Sequence, residues 1–108
     1  MVRATVRIVL PSKKRREALG IFWSMAEGTR FEPGCMNCRV FQDTKDERVI
    51  ILEEWWDNQD DLERHLRSEE YRNVLLVMEM ALHPPEVKFE TISASTGFET
   101  IQKARSST

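Results

Sequence analysis

The residues best suited to chemistry lie close together in the middle of the chain. In the stretch EEWWDNQDDLERH, the carboxylates Glu53 and Glu54 and the indoles Trp55 and Trp56 precede His65. A histidine side chain has an unperturbed pKa of about 6.5, so it can exchange a proton near neutral pH. A flat indole can stack on a planar ligand. This combination is suited to general acid–base chemistry by His65 beside a surface that could hold a planar ligand.

Each of these residues also has a purely structural interpretation. His65 can be a surface or capping histidine that hydrogen-bonds the neighbouring backbone. Adjacent tryptophans on a strand point to opposite faces, and each can simply pack in a core. Glu53 and Glu54 likewise lie on opposite faces, and the buried one needs a partner. Arg7 or Arg39 can supply that partner as a structural ion pair, while a pocket acid with a raised pKa is the alternative.

The two cysteines form the motif CMNC at Cys35 and Cys38. A CxxC motif can be a redox pair or half of a zinc site. The remaining candidate ligands, His65 and His83, do not have the spacing of a zinc module. Strand residues three apart point to opposite faces, so we predict two structural thiols. No phosphate-binding loop, nucleophile elbow or metal-ligand cluster is present, so neither a cofactor nor a metal is predicted.

Composition indicates one ordinary globular domain. The 108 residues are 41% apolar and 31% charged, with a formal net charge of −2. This balance favours neither nucleic acid nor an anionic membrane as a partner. The first residues alternate rather than form the apolar segment of a signal peptide, and the longest apolar run is about half a bilayer span. The predicted location is the cytoplasm, with no membrane association.

The elements that must position these residues follow from the periodicity of apolar side chains. In chain order we predict a strand at 2–10, a helix at 13–31, strands at 35–43 and 49–56, helical segments from 57 to 82, a strand at 87–93 and a short helix after 97. Ser12 and either Asp57 or Asn58 are predicted helix caps, and Ser68 marks a fresh turn. The order β-α-β-β-α-β predicts an α+β, ferredoxin-like antiparallel sheet with both helices on one face. We place this domain at residues 1–95.

The predicted fold leaves one face of the sheet uncovered. The two central strands carry more apolar residues than one core requires, so the open face is predicted to be apolar and to form a homodimer. The second main helix is apolar on all sides at Leu75, Leu76 and Val77, which predicts a covering element. Residues 96–108, a tail or short helix, are predicted to pack on the domain or on the partner subunit.

The segments PGCMNCRVFQD, ILEEWW and DLERHLRSEEY resemble the antibiotic biosynthesis monooxygenase (ABM) superfamily, across roughly residues 2–92. The C-terminal FETISASTGFETIQKAR is similar to a small bacterial subgroup of quinol-monooxygenase-like proteins. The resemblance implies a dimeric α+β barrel. The superfamily includes cofactor-free oxygenases, enzymes with other activities and proteins with no known activity, so the resemblance alone does not determine the reaction. Haem-degrading members carry Asn, Trp and His where this chain has Val6, His65 and Leu75, which argues against that activity.

The resemblance aligns Trp56 with the tryptophan of the family pattern EEW, and Trp55 then stands where a glutamate is often found. It implies a cofactor-independent monooxygenase that oxidises a small aromatic or quinol-type substrate with O2, with His65 as the base. A non-catalytic binding or sensor dimer and a purely structural dimer are the alternatives. The predicted substrate-binding residues are Phe22, Trp23, Asn37, Arg39, Glu54, Trp56 and Tyr71.

Overall fold

A four-stranded antiparallel sheet with helices on one face forms the body of the protein in a computed structural model, which describes residues 1–106. The elements are β1 (Val2–Val9), α1 (Arg15–Thr29), β2 (Cys35–Gln42), β3 (Val49–Trp56), α2 (Gln59–Leu66), α3 (Arg72–Glu79), β4 (Glu86–Thr91) and α4 (Phe98–Ser106). The strand order β2-β3-β1-β4 places the first and third strands at the centre. The predicted ferredoxin-like fold is confirmed.

Strand periodicity determines which side chains reach the core. Alternate residues of β1 are buried, and β1 pairs with β3 so that Val6 lies opposite Leu52 and Ile8 opposite Ile50. Side chains at these positions face α1 and α3, because successive strand residues point to opposite faces. The helical contributions to this core are Ala18, Phe22, Met25, Ala26, Val74 and Val77.

Two of the predicted helix starts are confirmed and one is wrong. The side chain of Asn58 accepts a hydrogen bond of 2.9 Å from the backbone N–H of Asp61 and so caps α2. The Ser68 hydroxyl accepts one of 3.3 Å from the N–H of Tyr71, immediately before α3. Ser12 is not a side-chain cap, because a 3₁₀ turn at Ser12–Lys14 leads into α1 instead.

A bulge at the start of β2 changes the faces of the cysteines. Cys35 pairs with Trp56 and Asn37 pairs with Trp55, so one extra residue lies in β2 between the two pairs. As a result Cys35 and Cys38 both pack against the core, Cys38 fully buried. The prediction that they point to opposite faces is therefore wrong, although both thiols are free.

The open face of the sheet is mixed rather than apolar, which corrects the prediction. On it the Nη2 atom of Arg3 lies 2.8 Å from the carboxylate of Glu90, and the guanidinium lies 5.2 Å from the centre of the Trp55 ring. Arg7 lies opposite Ile51 on the neighbouring strand. Cross-strand charge pairs therefore share this face with a smaller number of apolar side chains.

Exposed apolar side chains are more numerous away from that face. About half of the surface of Leu75 and Leu76 on α3 is exposed. Helix α4 buries none of its side chains, although Phe98 and Ile101 lie on it. Residues 107 and 108 of the predicted tail lie outside the described residues. Within 1–106 no helix is long and apolar enough to cross a membrane.

Candidate functional site

His65 is fully buried and lies between two carboxylates. Its Nδ1 atom is 2.9 Å from Oε2 of Glu32, and its Nε2 atom is 3.0 Å from Oε2 of Glu54. Glu54 is buried, whereas the side chain of Glu32 is 26% exposed. The imidazole therefore joins a buried carboxylate to one that reaches solvent.

Local sequence accounts for two of these three positions. The period of β3 directs Glu54 and Trp56 to the helix face, while Glu53 and Trp55 point to the open face. The cap at Asn58 starts α2 so that its last turn carries Leu62 and His65 on the buried side.

Glu32 comes from the turn between α1 and β2, and α2 holds this turn in place. Gly34 has φ of 83°, a conformation that a residue with a Cβ atom rarely adopts. Its carbonyl accepts a 2.8 Å hydrogen bond from the N–H of Asp57. The guanidinium of Arg64 donates one of 3.0 Å to the carbonyl of Pro33. The backbone that carries Glu32 is therefore fixed, and its side chain reaches from this turn to His65 while remaining partly exposed.

Two aromatic rings complete the surroundings of the imidazole. The Trp56 ring lies 4.7 Å from His65 between centroids, and its Nε1–H donates a 3.2 Å hydrogen bond to Oε1 of Glu54. The Tyr71 ring meets the imidazole edge-on at 5.3 Å. Each oxygen of Glu54 thus has one partner. No buried side-chain nitrogen or oxygen in the described part of the chain lacks a hydrogen bond.

The two carboxylates determine the charge state of the site. Burial by itself would lower the pKa of His65, but the hydrogen bond and charge of Glu54, followed by those of Glu32, outweigh it and raise the pKa. Burial and the charge of Glu54 raise the pKa of Tyr71 to about 12. The same two causes raise the pKa of Cys35 to about 11 and also raise that of Cys38. The two carboxylates therefore favour the protonated form of His65 and the neutral forms of Tyr71, Cys35 and Cys38.

The predicted arginine partners of the two strand carboxylates are wrong. Glu54 pairs with His65, and Glu53 accepts a 2.9 Å hydrogen bond from the Trp55 indole. Arg7 lies 4.0 Å from Glu86 on the neighbouring edge strand. Arg39 instead donates to the side chain of Asn37.

The residues predicted for the site fall into two groups. Glu54, Trp56 and Tyr71 surround His65, and Phe22 belongs to the same core cluster as Tyr71. The other three line a separate groove of about 750 Å³ between α1 and β2. The lining of this α1–β2 groove consists of Trp23, Ala26, Glu27, Arg30, Asn37, Arg39, Val40 and Phe41.

Sequence reasoning missed Glu32. It lies 33 residues before His65, so no helical or strand periodicity connects the two. The one local signal is its position directly before the Pro33–Gly34 turn. That signal indicates a bend in the backbone but not which residue Glu32 contacts. Within residues 1–106, no three His, Cys, Asp or Glu side chains are arranged to hold a metal ion.

Solved structures show where this fold recurs. A structure described as an antibiotic biosynthesis monooxygenase is 22% identical, with a TM-score of 0.79 over 87% of this chain and 100% of that chain. A conserved protein from Methanosarcina mazei is 22% identical, with a TM-score of 0.77 over 82% and 89%. A protein from Mycobacterium tuberculosis is 20% identical, with a TM-score of 0.80 over 89% and 98%. At these identities the likeness establishes the fold.

The family follows from the sequence itself. None of the curated proteins compared with the chain matches it. The sequence profile described as antibiotic biosynthesis monooxygenase matches residues 1–75. This range includes the elements from β1 to α2 and the three residues Glu32, Glu54 and His65. The chain therefore belongs to the antibiotic biosynthesis monooxygenase family.

Proposed function

We propose that the protein is a cofactor-independent monooxygenase that oxidises a small aromatic or quinol-type substrate with O2. For a quinol the balanced reaction is one quinol and one O2 to one hydroxyquinone and one water. The substrate supplies all the electrons, so the reaction needs no external reductant. Membership of the family supports the reaction class.

The observation that carries the proposal is the placement of His65 between a buried carboxylate and a partly exposed one. Glu54 accepts the Nε2–H of the imidazole, so Nδ1 is the nitrogen left for a base. This is the arrangement by which an acidic residue orients a catalytic histidine. The Glu32 carboxylate at Nδ1 occupies the place of a substrate oxygen, and rotation of that side chain admits the substrate hydroxyl.

The chemistry begins when Glu32 rotates away from Nδ1, which removes one of the two carboxylates that raise the pKa of His65 and so favours the neutral imidazole. The hydroxyl proton of the substrate then passes to Nδ1. The resulting anion is electron-rich and passes one electron to O2. Recombination of the two radicals forms the new C–O bond as a peroxide, and loss of water leaves the hydroxyquinone. Glu54 stabilises the imidazolium while this proceeds. Trp56, Tyr71 and Phe22 form the apolar walls that keep the anion away from water.

We propose that the working form is a homodimer joined through the open sheet face. Membership of the family supports a dimer. On the open face Phe41 remains 42% exposed and Ile51 and Trp55 are only partly buried, and exposed apolar surface on a small protein can mark an interface. Helix α4 buries none of its side chains, and a helix of nine residues is marginal in water without packing, so a covering partner would stabilise it. Light scattering at micromolar concentration should give twice the mass of the 12.7 kDa chain, and a monomer would refute the dimer.

A non-catalytic dimer that binds a small molecule, or that is purely structural, is the second candidate. It is favoured because both nitrogens of His65 and both oxygens of Glu54 already have hydrogen-bond partners within the protein. A closed hydrogen-bonded cluster can simply join α2, β3 and the α1–β2 turn.

The test is oxygen uptake by the metal-free protein with a panel of quinols and phenols. His65→Gln should abolish uptake, and His83→Gln is the matched control, because His83 is the second histidine of the chain and is exposed. Circular dichroism would confirm that both variants are folded. Equal uptake by the two variants would remove His65 from the mechanism. Absence of uptake by the wild type across the panel would favour the second candidate.

A further inference from the structure

The Nδ1 side of His65 is occupied by a carboxylate that comes from a turn rather than from a helix or strand. Both oxygens of Glu32 lie close to Nδ1, with Oε1 at 3.1 Å and Oε2 at 2.9 Å. In the described part of the chain, the side chain of Glu32 makes no other hydrogen bond or ion pair. Because this side chain is 26% exposed, water can solvate the carboxylate when its single contact is broken.

The Nε2 side of the same ring is held by the core. Glu54 lies 3.0 Å from Nε2 and is buried, and its second oxygen accepts the indole N–H of Trp56. A buried carboxylate that loses its partner is costly, so Glu54 keeps its hydrogen bond to the imidazole when the contact on the other side changes. The two nitrogens therefore differ, and only Nδ1 faces a group that reaches solvent.

The ring presents a positively charged N–H at Nδ1. An ionised carboxylate can only accept hydrogen bonds, so a carboxylate at each nitrogen requires a hydrogen on both. Burial alone would lower the pKa of His65, but Glu54 and then Glu32 raise it, in agreement with this protonation. Burial followed by the charge of Glu54 also raises the pKa of the other titratable groups near the cluster, which keeps each of them neutral. These groups are Tyr71, Cys35 and Cys38.

We propose that Nδ1 of His65 is a binding site for the anionic oxygen of a small organic acid, and that Glu32 occupies it in the free protein as an internal competitor. The ligand oxygen replaces the Glu32 carboxylate, while Glu54 continues to hold the ring. The inference names a ligand class for the site of the proposed oxygenase and rests on that proposal only for phenols. A phenolate bound to the imidazolium is the state that the oxygenase reaches after its first proton transfer.

The test is acetate binding to the Glu32→Ala variant. This substitution removes the side chain from Cγ outward, and acetate has the same atoms in the same arrangement. An NMR titration of the His65 imidazole should show saturable binding of acetate and a rise in the pKa of the ring. Acetamide is the neutral control of the same shape, and it should bind at least about tenfold more weakly, because it forms no charge-assisted hydrogen bond. Acetate binding should weaken as pH rises and the imidazolium loses its proton.

The wild type and a second variant show whether Glu32 is the competitor. The wild type should bind acetate at least about tenfold more weakly than Glu32→Ala, because its own carboxylate is tethered beside Nδ1. Glu63→Ala is the matched control, since Glu63 is exposed on α2, the helix that carries His65. Its response to acetate should equal that of the wild type. If Glu32→Ala is partly unfolded, acetate should restore the circular dichroism of the folded protein and acetamide should not.

Three results would overturn the proposal. They are no saturable effect of acetate on Glu32→Ala at constant ionic strength, equal effects of acetate and acetamide, and equal acetate affinity of this variant and the wild type. Acetate binding needs neither O2 nor turnover. Absence of oxygen uptake would therefore count against the oxygenase alone, and absence of acetate binding would count against the anion site alone.

Discussion

The Nε2 atom of His65 lies 3.0 Å from Oε2 of Glu54, and both side chains are excluded from solvent. This contact joins the last turn of α2 to the central strand β3. Because a buried charge is costly without a partner, each residue depends on the other for its place in the core. The partly exposed Glu32 on the other nitrogen makes the cluster asymmetric. The predictions about stability and pH follow from that asymmetry.

Replacement of Glu54 by alanine should lower the free energy of unfolding by about 3–5 kcal/mol. The substitution leaves His65 and the Trp56 indole without their buried acceptor. Urea unfolding measures the loss. Glu53→Ala is the matched control on the open face, where a loss of about 1 kcal/mol is expected. Equal losses in the free energy of unfolding at the two positions would show that the buried Glu54–His65 contact contributes no more to stability than the contact of Glu53.

Stability should fall as pH rises through the neutral range and above. The pKa of folded His65 is raised above that of the unfolded chain, so the folded protein binds the proton more tightly. This contribution is complete below the unfolded pKa of about 6.5 and disappears as pH rises through the folded value. Urea unfolding midpoints measured at a series of pH values across this range report this contribution of His65 to stability. The His65→Gln variant should lose this component, and an unchanged profile in that variant would contradict the assignment.

Substitution of Glu32 by alanine should lower the pKa of His65, because one of the two carboxylates that raise it is removed. An NMR titration of the imidazole measures the change. If Glu32 covers the base as proposed, the variant should retain or increase oxygen uptake at neutral pH. Glu54→Gln should reduce uptake instead, since it removes the group that orients the imidazole. Equal loss of oxygen uptake in Glu32→Ala and Glu54→Gln would contradict the proposal that Glu32 only covers the base.

The turn that carries Glu32 should be sensitive to a single methyl group. Gly34→Ala should destabilise the protein by about 1–3 kcal/mol, because φ is 83° and the new Cβ would overlap the side chain of Asp61. Gly20→Ala is the matched control. It lies inside α1 with no atom near its Cβ position, and alanine there should stabilise by about 0.5–1 kcal/mol. Thermal unfolding should show a lower midpoint temperature for Gly34→Ala and a higher one for Gly20→Ala.

The thiols should be slow to react at neutral pH. Burial and the nearby Glu54 raise the pKa of Cys35 to about 11, so the nucleophilic thiolate is scarce. Alkylation by iodoacetamide should be much slower than that of an exposed cysteine peptide and should accelerate steeply with pH. Unfolding in urea should remove the difference. Rapid modification of the folded protein, or ready formation of a Cys35–Cys38 disulfide, would contradict the structural role of these thiols.

The sequence by itself determined the order of the elements, the alternation of faces along the strands and two helix starts. Period-two alternation is a local property of the strand, and it was sufficient to predict that Trp55 and Trp56 point to opposite faces; which of them enters the core was decided by packing. The Asn58 cap and the Ser68 turn are equally local, since each involves atoms three residues apart. These features required no knowledge of the rest of the chain.

Tertiary structure decided which groups meet. Glu32 reaches His65 across 33 residues, because the turn at Gly34 is held against α2 by long-range hydrogen bonds. The bulge in β2 exists only in the pairing with β3, and it brings Cys35 and Cys38 to one side. Trp23 lies exposed on α1 and Arg39 lies on the open face of β2 opposite Glu53, so neither reaches His65. Such contacts depend on how whole elements pack, and no local period encodes that.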